Sequence, residues 1–225
     1  MDDGYLGNAR LKRVGVEISY TEEQLKEIVK CTEDPVYFIR TYVKIVNVDK
    51  GLVPFDMWPF QEEMVTQFHS NRFVIAKMPR QVGKTTTTVG YMLWSALFNE
   101  EFVIGILANK LQLAQDILAK IQKAYEYLPM WLQQGIINWN KRSIELENGS
   151  KIYAYATSAA GVSGGTYNLI FLDETVLQKY FVSFPLSTFH LDLAPSTNES
   201  QVSCKVNDFQ SHPSTSCRID LSRLA

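Results

Sequence analysis

The stretch Arg72–Thr88, RFVIAKMPRQVGKTTTT, decides the fold. Its first seven residues, RFVIAKM, are apolar enough to predict a buried β-strand. The chain then turns through Pro79-Arg80-Gln81-Val82-Gly83 into Lys84 and the threonines Thr85–Thr88. Strand, turn, Gly-Lys-Thr, helix is the order of a phosphate-binding loop. The residue types follow from the chemistry. Gly83 has no Cβ, so its backbone can lie against a phosphate oxygen. The amides opening the next helix point at the anion, and the helix dipole favours negative charge there. Lys84 is placed for the β- and γ-phosphates and the Thr85 hydroxyl for Mg²⁺. The full pattern G-x-x-x-x-G-K-[ST] wants glycine at position 78, where this chain has Met78. The competing reading is a plain loop before a helix, with a solvated lysine.

A second motif bears on that choice. In YNLIFLDE, Tyr167–Glu174, four apolar residues Leu169–Leu172 end in Asp173-Glu174. The pattern predicts a central strand beside the loop strand. Asp173 then holds the Mg²⁺ shell and Glu174 polarises the attacking water. A buried strand ending in two solvated acids is the bland alternative. Both motifs, in this order and spacing, point to an ATP hydrolase.

Composition narrows the partners. A chain of 225 residues buries one good core, with or without an appendage. A net charge of −2 argues against a static basic clamp on nucleic acid, though not against transient contacts through a few side chains. Cys31, Cys204 and Cys217 form neither a disulfide framework nor a standard metal spacing, and a zinc site from Cys204, His212 and Cys217 fits no usual pattern. The N-terminal MDDGYLGNARLKR lacks an apolar signal core, so a cytoplasmic protein is expected.

Residues 1–19 read as extended. Thr21 and Gln24 form a capping box before a helix whose stripe is Leu25, Ile28 and Val29. Asp34-Pro35 opens a second helix burying Phe38, Ile39, Tyr42 and Val43. Asp49-Lys50-Gly51 is a turn. Pro59 starts a third helix, with Gln61 in its first turn. An aromatic and a glutamine here suit an adenine, stacked on Phe60 or Trp58 and paired with the Gln61 amide; the residues alone favour the plainer reading, an aromatic core face with a surface glutamine. Helices are predicted over Lys84–Phe98 and Leu111–Tyr127, and a strand over Glu101–Ala108. The threonine hydroxyls are expected to cap free amides in the first turn after the loop. Residues 128–137 read as irregular or as a short helix around Pro129. SIELENGSKIYAY, Ser143–Tyr155, alternates about Asn148-Gly149 as a two-residue hairpin. Ala159–Thr166 is a Gly-Ser loop, a connection or a phosphate sensor. After Glu174 the Ser/Thr/Pro-rich tail keeps no periodicity beyond about Leu193 and reads as disordered or out of frame.

From about Tyr5 to Glu174 the chain resembles the N-terminal ATPase domain of tailed-bacteriophage terminase large subunits. DPVYFIRTYVKIVNVDKGLVPFDMWPFQEEMV, KMPRQVGKTT, VIGILANK, the segment YEYLPMWLQQG to YATSA, and YNLIFLDE carry the likeness. The resemblance implies an α/β P-loop NTPase: a mainly parallel sheet, helices on both faces, a catalytic strand inserted beside the loop strand, incomplete at its C-terminal end. It divides the chain into a helical lead-in (1–58), an ATPase core (59–174) and an atypical tail (175–225). It implies ATP and Mg²⁺ as cofactors. Phe60, Gln61, Arg80, Gln81, Val82, Gly83, Lys84, Thr85 and Thr86 would bind nucleotide, with Gln61 reading adenine. Thr85 and Asp173 would hold the metal. Lys84, Arg80 as a cis-acting arginine finger and Glu174 as general base would be catalytic.

The implied partners are double-stranded DNA, the portal protein of the prohead, the small terminase subunit and further copies in a ring, with no membrane. The implied place is the host bacterial cytoplasm, at the portal. Three departures stand against this. Ser163-Gly164 occupies the usual arginine sensor position. No aromatic segment and Thr-Thr-Pro coupling strand follow Glu174. No nuclease domain is present. A helicase-like ATPase and an inactive, truncated or frameshifted nucleotide-binding fragment are the rival readings.

Overall fold

The computed structural model describes residues 4–47, 49–156 and 165–173 with side chains, and 201–204 and 217–220 as backbone. Two compact units meet in the sequence at residue 178.

The first unit opens with a hairpin, β1 (Gly4–Tyr5) and β2 (Asn8–Lys12), where a plain extended run was expected. Gln133 holds it down: Oε1 accepts from the Lys12 amide at 3.0 Å and Nε2 donates to the Arg10 and Leu128 carbonyls, each at 2.9 Å. Helix α1 (Glu22–Glu33) has the predicted capping box of Thr21 and Gln24. Its predicted stripe holds only at Ile28. Leu25 and Val29 are exposed, and the helix packs through Ile28 together with the buried Cys31. Helix α2 (Pro35–Tyr42) begins as expected, with Asp34 accepting from the Val36 and Tyr37 amides, and it buries Phe38 and Ile39. Strands β3 (Lys44–Asn47) and β4 (Gly51–Pro54) make an antiparallel hairpin. Helix α3 (Pro59–Ser70) follows, joined to α2 by an Arg40–Glu62 ion pair of 2.6 Å.

The segment before the phosphate loop corrects the sequence reading. RFVIAKM is not a strand: residues 73–79 are irregular, outside any ladder of the described residues, with Phe73 42 % and Ile75 62 % exposed. Alternating apolar residues give a segment the capacity to be a strand, but only a neighbour's backbone makes it one.

Helix α4 (Lys84–Phe98) has the predicted bounds. It leads to β5 (Val103–Ala108) and α5 (Leu111–Glu126). A 3₁₀ turn at Met130–Leu132 precedes β6 (Ile136–Trp139), a strand the sequence did not announce. Strands β7 (Ser143–Leu146) and β8 (Lys151–Ala156) flank Asn148-Gly149 as predicted, but through a wider connection in which the Leu146 amide bonds the Ser150 carbonyl at 2.9 Å. The reason is the Asn148 side chain. It reaches back to the carbonyls of Ala96 (2.9 Å) and Asn99 (2.8 Å), tying the turn to the end of α4.

With β9 (Leu169–Leu172) the sheet has the order β6-β7-β8-β5-β9. β8, β5 and β9 are parallel, with Ile104 opposite Ile152 and Leu169; β6 and β7 are antiparallel. The fold is thus α/β with a mixed sheet. Among the described residues β9 pairs only with β5 and lies at the edge, not beside a loop strand as predicted. Ile104, Ile106, Ile152 and Ala154 are buried, and α5 packs on β5 and β8 through Ile117, Leu118 and Ile121. The opposite face carries Tyr153, Tyr155 and Ile170, with Tyr167 over Gly105. It is only half covered among the described residues, Ile170 being 40 % exposed.

The second unit contains β10 (Gln201–Cys204) antiparallel to β11 (Cys217–Asp220), with Cys204 opposite Cys217. The sequence predicted no periodicity in this region. The rest of the tail lies outside the described residues.

One ion pair in the lead-in helices makes a pH prediction. Lys30, Tyr37 and Tyr42 all donate to the Glu27 carboxylate, at 2.7, 2.7 and 3.1 Å. These donors, Lys30 first, lower its pKa from 4.5 to about 2. A lowered carboxyl pKa adds stability that is complete above the unfolded value and is lost as pH falls towards the folded one. Acid melts of the wild type should therefore steepen between about pH 4.5 and 2, and Glu27→Gln should lack that increment. Parallel thermal melts across this range check it.

Candidate nucleotide-binding site

Gly83 is the N-cap of α4 and sits in the left-handed region, φ 81°. No side chain caps the helix there. The threonines do not supply the cap the sequence suggested. Thr87 Oγ1 donates to the Gly83 carbonyl (3.2 Å) and Thr88 Oγ1 to the Lys84 carbonyl (3.0 Å). As donors to the preceding turn they leave the amide end of α4 unblocked, which suits an anion.

Lys84 turns back over the loop. Its Nζ donates to the carbonyls of Met78 (2.9 Å) and Pro79 (2.7 Å). Gln81 is the loop's non-glycine residue in the left-handed region, φ 65°. Arg80 and Gln81 are exposed; Val82, Thr85 and Thr86 are half-buried.

Gln61 lies in the first turn of α3, beside the loop. It is 3 % exposed. Its Oε1 accepts from the Trp58 amide at 2.9 Å, and its Nε2 donates to the Val82 carbonyl at 3.0 Å. Of the two aromatics beside it, Phe60 is half-buried and Trp58 is 68 % exposed. No local signal in the sequence announced that Gln61 would meet the loop, because its partner is 21 residues on.

Asp173 follows the Leu107↔Leu172 pair, at the carboxyl end of β9. Its amide donates to the Leu107 carbonyl at 2.9 Å. Glu174, the Ser163-Gly164 sensor position and residues 159–164 of the Gly-Ser loop lie outside the described residues. The structure thus brings Gln61, Val82, Gly83 and Lys84 into one cluster and sets Asp173 on the sheet. A separate hollow of about 300 Å³ lies between Leu111, Arg142, Tyr153 and Tyr155, and none of the predicted site residues lines it.

Cofactor chemistry fits these residues. The cradle at Gly83 is tight, since a Cβ there would meet Gln61 Nε2 at 2.5 Å. Among the described residues no three His, Cys, Asp or Glu side chains gather as a metal cage. Mg²⁺ does not need one: it takes one or two protein oxygens and completes its shell with phosphates and water. Thr85 and Asp173 are oxygen donors of that kind.

A family model for the T4likevirus-type terminase large subunit, N-terminal, matches residues 75–186. Over these residues the chain belongs to the terminase large-subunit family. The crystal structure of the HK97 bacteriophage large terminase matches 65 % of this chain with a TM-score of 0.53 and 21 % identity. At that identity the likeness is one of fold. The chain spans 31 % of the length of that terminase. Among the described residues no helix is long and apolar enough to cross a membrane.

Proposed function

We propose that this terminase domain binds and hydrolyses ATP to drive double-stranded DNA into a prohead. The observation that carries the reading is the loop itself: a left-handed Gly83 at the open amide end of a 15-residue helix, followed at once by Lys84. Phosphates would lie on the amides of Gly83–Thr86, with the Lys84 ammonium turning from the Met78 and Pro79 carbonyls to the γ-phosphate. Arg80, exposed on the same loop, would neutralise charge developing on the transferred phosphoryl group. Trp58 offers an exposed ring on which a base can stack. Thr85 and Asp173 would hold Mg²⁺, which when bound offsets phosphate charge. Glu174 would orient the attacking water and take its proton.

As a packaging motor the full assembly would join several copies in a ring at the portal protein, with the small terminase subunit, in the host bacterial cytoplasm. Family membership supports these partners.

The test is Mg²⁺-dependent phosphate release by the full chain, with and without double-stranded DNA. Asp173→Asn keeps the shape of the side chain and removes its charge. It should reduce turnover by about 10²-fold or more, with ATP binding weakened far less. Turnover equal to wild type would remove Asp173 from the metal site. Unwinding of duplex DNA by this chain would favour a helicase instead.

A further inference from the structure

We infer that Arg10 and Lys123, drawn together on Tyr127 at the carboxyl end of α5, form a contact for the phosphate backbone of duplex DNA. The inference rests on the reading above that this domain acts on double-stranded DNA. Arg10 comes from β2, Lys123 from the last turn of α5 and Tyr127 from its C-cap. The Arg10 guanidinium lies 5.0 Å from the centre of the Tyr127 ring, and its Nη1 donates to the phenol oxygen at 3.1 Å. The Lys123 ammonium lies 5.1 Å from the same ring centre. The Arg10 bond, foremost, and the Lys123 charge lower the phenol's pKa. Like charges gathered so closely repel each other. Among the described residues one carboxylate offsets them, Glu126 at 3.5 Å from Lys123, and Arg10 pairs with none. Both cations are exposed, and Lys120, exposed one turn earlier on α5, extends the positive face.

Holding the hairpin does not require this arrangement. The Gln133 amide already binds the Lys12 amide and the Arg10 carbonyl, and exposed charged contacts add little to that. What the cluster lacks is an anion. The phenol oxygen accepts from Arg10, and its own proton has no acceptor among the described residues. Guanidinium, ammonium and phenol are together a donor set for a phosphodiester oxygen. Single strands are held chiefly by bases stacked on open aromatic rings. Here the ring is half-buried and already carries both cations, so the site favours phosphate over base. A contact blind to sequence suits a duplex that is moved along its whole length.

The experiment measures the affinity of the full chain for a short mixed-sequence duplex across a salt series. Wild type is compared with Arg10→Gln, Lys123→Gln, the double variant and Arg10→Lys. Lys50→Gln removes an equal charge from the exposed β3–β4 turn and is the control. Each of the two single glutamine variants in the cluster should weaken binding about three- to tenfold at low salt. Each should also lower the slope of log affinity against log salt by about 0.9, the value of one phosphate contact. The double variant should lower it by about twice as much. Arg10→Lys keeps the charge and should keep the slope. Mg·ATP binding should be unchanged in every variant.

A wild-type slope in both single variants would overturn the inference and leave the DNA reading standing. An equal loss in Lys50→Gln would overturn it too, by making the effect one of net charge. Thermal melts separate a structural role: a lower Tm with an unchanged slope in Arg10→Gln would make Arg10 a clasp for the hairpin and nothing more. Loss of single-stranded binding with duplex binding intact would assign the cluster to another ligand and likewise overturn the inference. A wild type with no salt-dependent affinity for the duplex would refute the DNA reading itself, and the inference with it.

Discussion

Lys84→Ala is expected to lower ATP turnover by at least about 10²-fold and to leave the fold intact. The ammonium has three donors, and in this structure two of them go to the Met78 and Pro79 carbonyls. Those bonds bend the incoming limb of the loop back over the first turn of α4. They are partly solvated, so losing them costs about 1 kcal/mol, or a fall in Tm of about 2–4 °C for a chain of this size. The loss in turnover is far larger because the same ammonium would meet the γ-phosphate, where charge grows as the phosphoryl group transfers. Arginine is not a conservative replacement. Its planar fork is larger and cannot swing as a compact point charge between two backbone carbonyls and a phosphate. Lys84→Arg should therefore lose most of the activity too. Calorimetric titration with Mg·ATP and a phosphate-release assay, run beside thermal melts, check all three statements. Unchanged ATP affinity in Lys84→Ala would take the loop out of the mechanism.

Much of this was legible wherever the signal was local. Thr21, Asp34 and Pro59 announce helix starts because a cap acts within three or four residues. The bounds of α4 follow from Gly83 at one end and Asn99 just past the other. β5 and β9 are apolar runs too short for helices, and both are strands.

What failed was whatever depends on a distant neighbour. RFVIAKM has the composition of a strand, and its pairing depends on backbone supplied from far along the chain. Leu25 and Val29 sit at helical spacing, yet the buried side of α1 is set by Trp94, whose indole N–H donates to the Cys31 carbonyl 63 residues away. The internal bonds of Gln61, to Trp58 and Val82, were not legible either. An amide donates and accepts equally well, and only the fold shows that Val82 and Trp58 take both ends.

Trp94→Ala should be among the most damaging single changes outside the loop, destabilising the domain by about 3–5 kcal/mol. The ring is 6 % exposed on α4. It stacks on Tyr91 with centroids 5.7 Å apart and meets His69 of α3 edge-on at 5.2 Å. Its Nε1 donates to the Cys31 carbonyl of α1 at 2.7 Å. One side chain thus ties the helix that carries the phosphate loop to two helices that precede it. Alanine leaves a cavity among these aromatics and a carbonyl without its partner. Phenylalanine separates the two effects: it refills most of the space and loses only the N–H, so Trp94→Phe should cost about 1–2 kcal/mol. Against a total stability of about 5–15 kcal/mol the alanine variant should still fold at low temperature, with a much lower urea midpoint. The residues before position 59 share this core, so unfolding of α1, followed by exchange at the Cys31–Glu33 amides, should coincide with that of α4 in the wild type. If α1 exchanges early while α4 stays protected, the lead-in helices are an appendage and Trp94 is only their anchor. If the two are lost together, the helix that presents Lys84 is held in place by the residues before position 59, and a variant lacking α1 should lose nucleotide binding along with its fold.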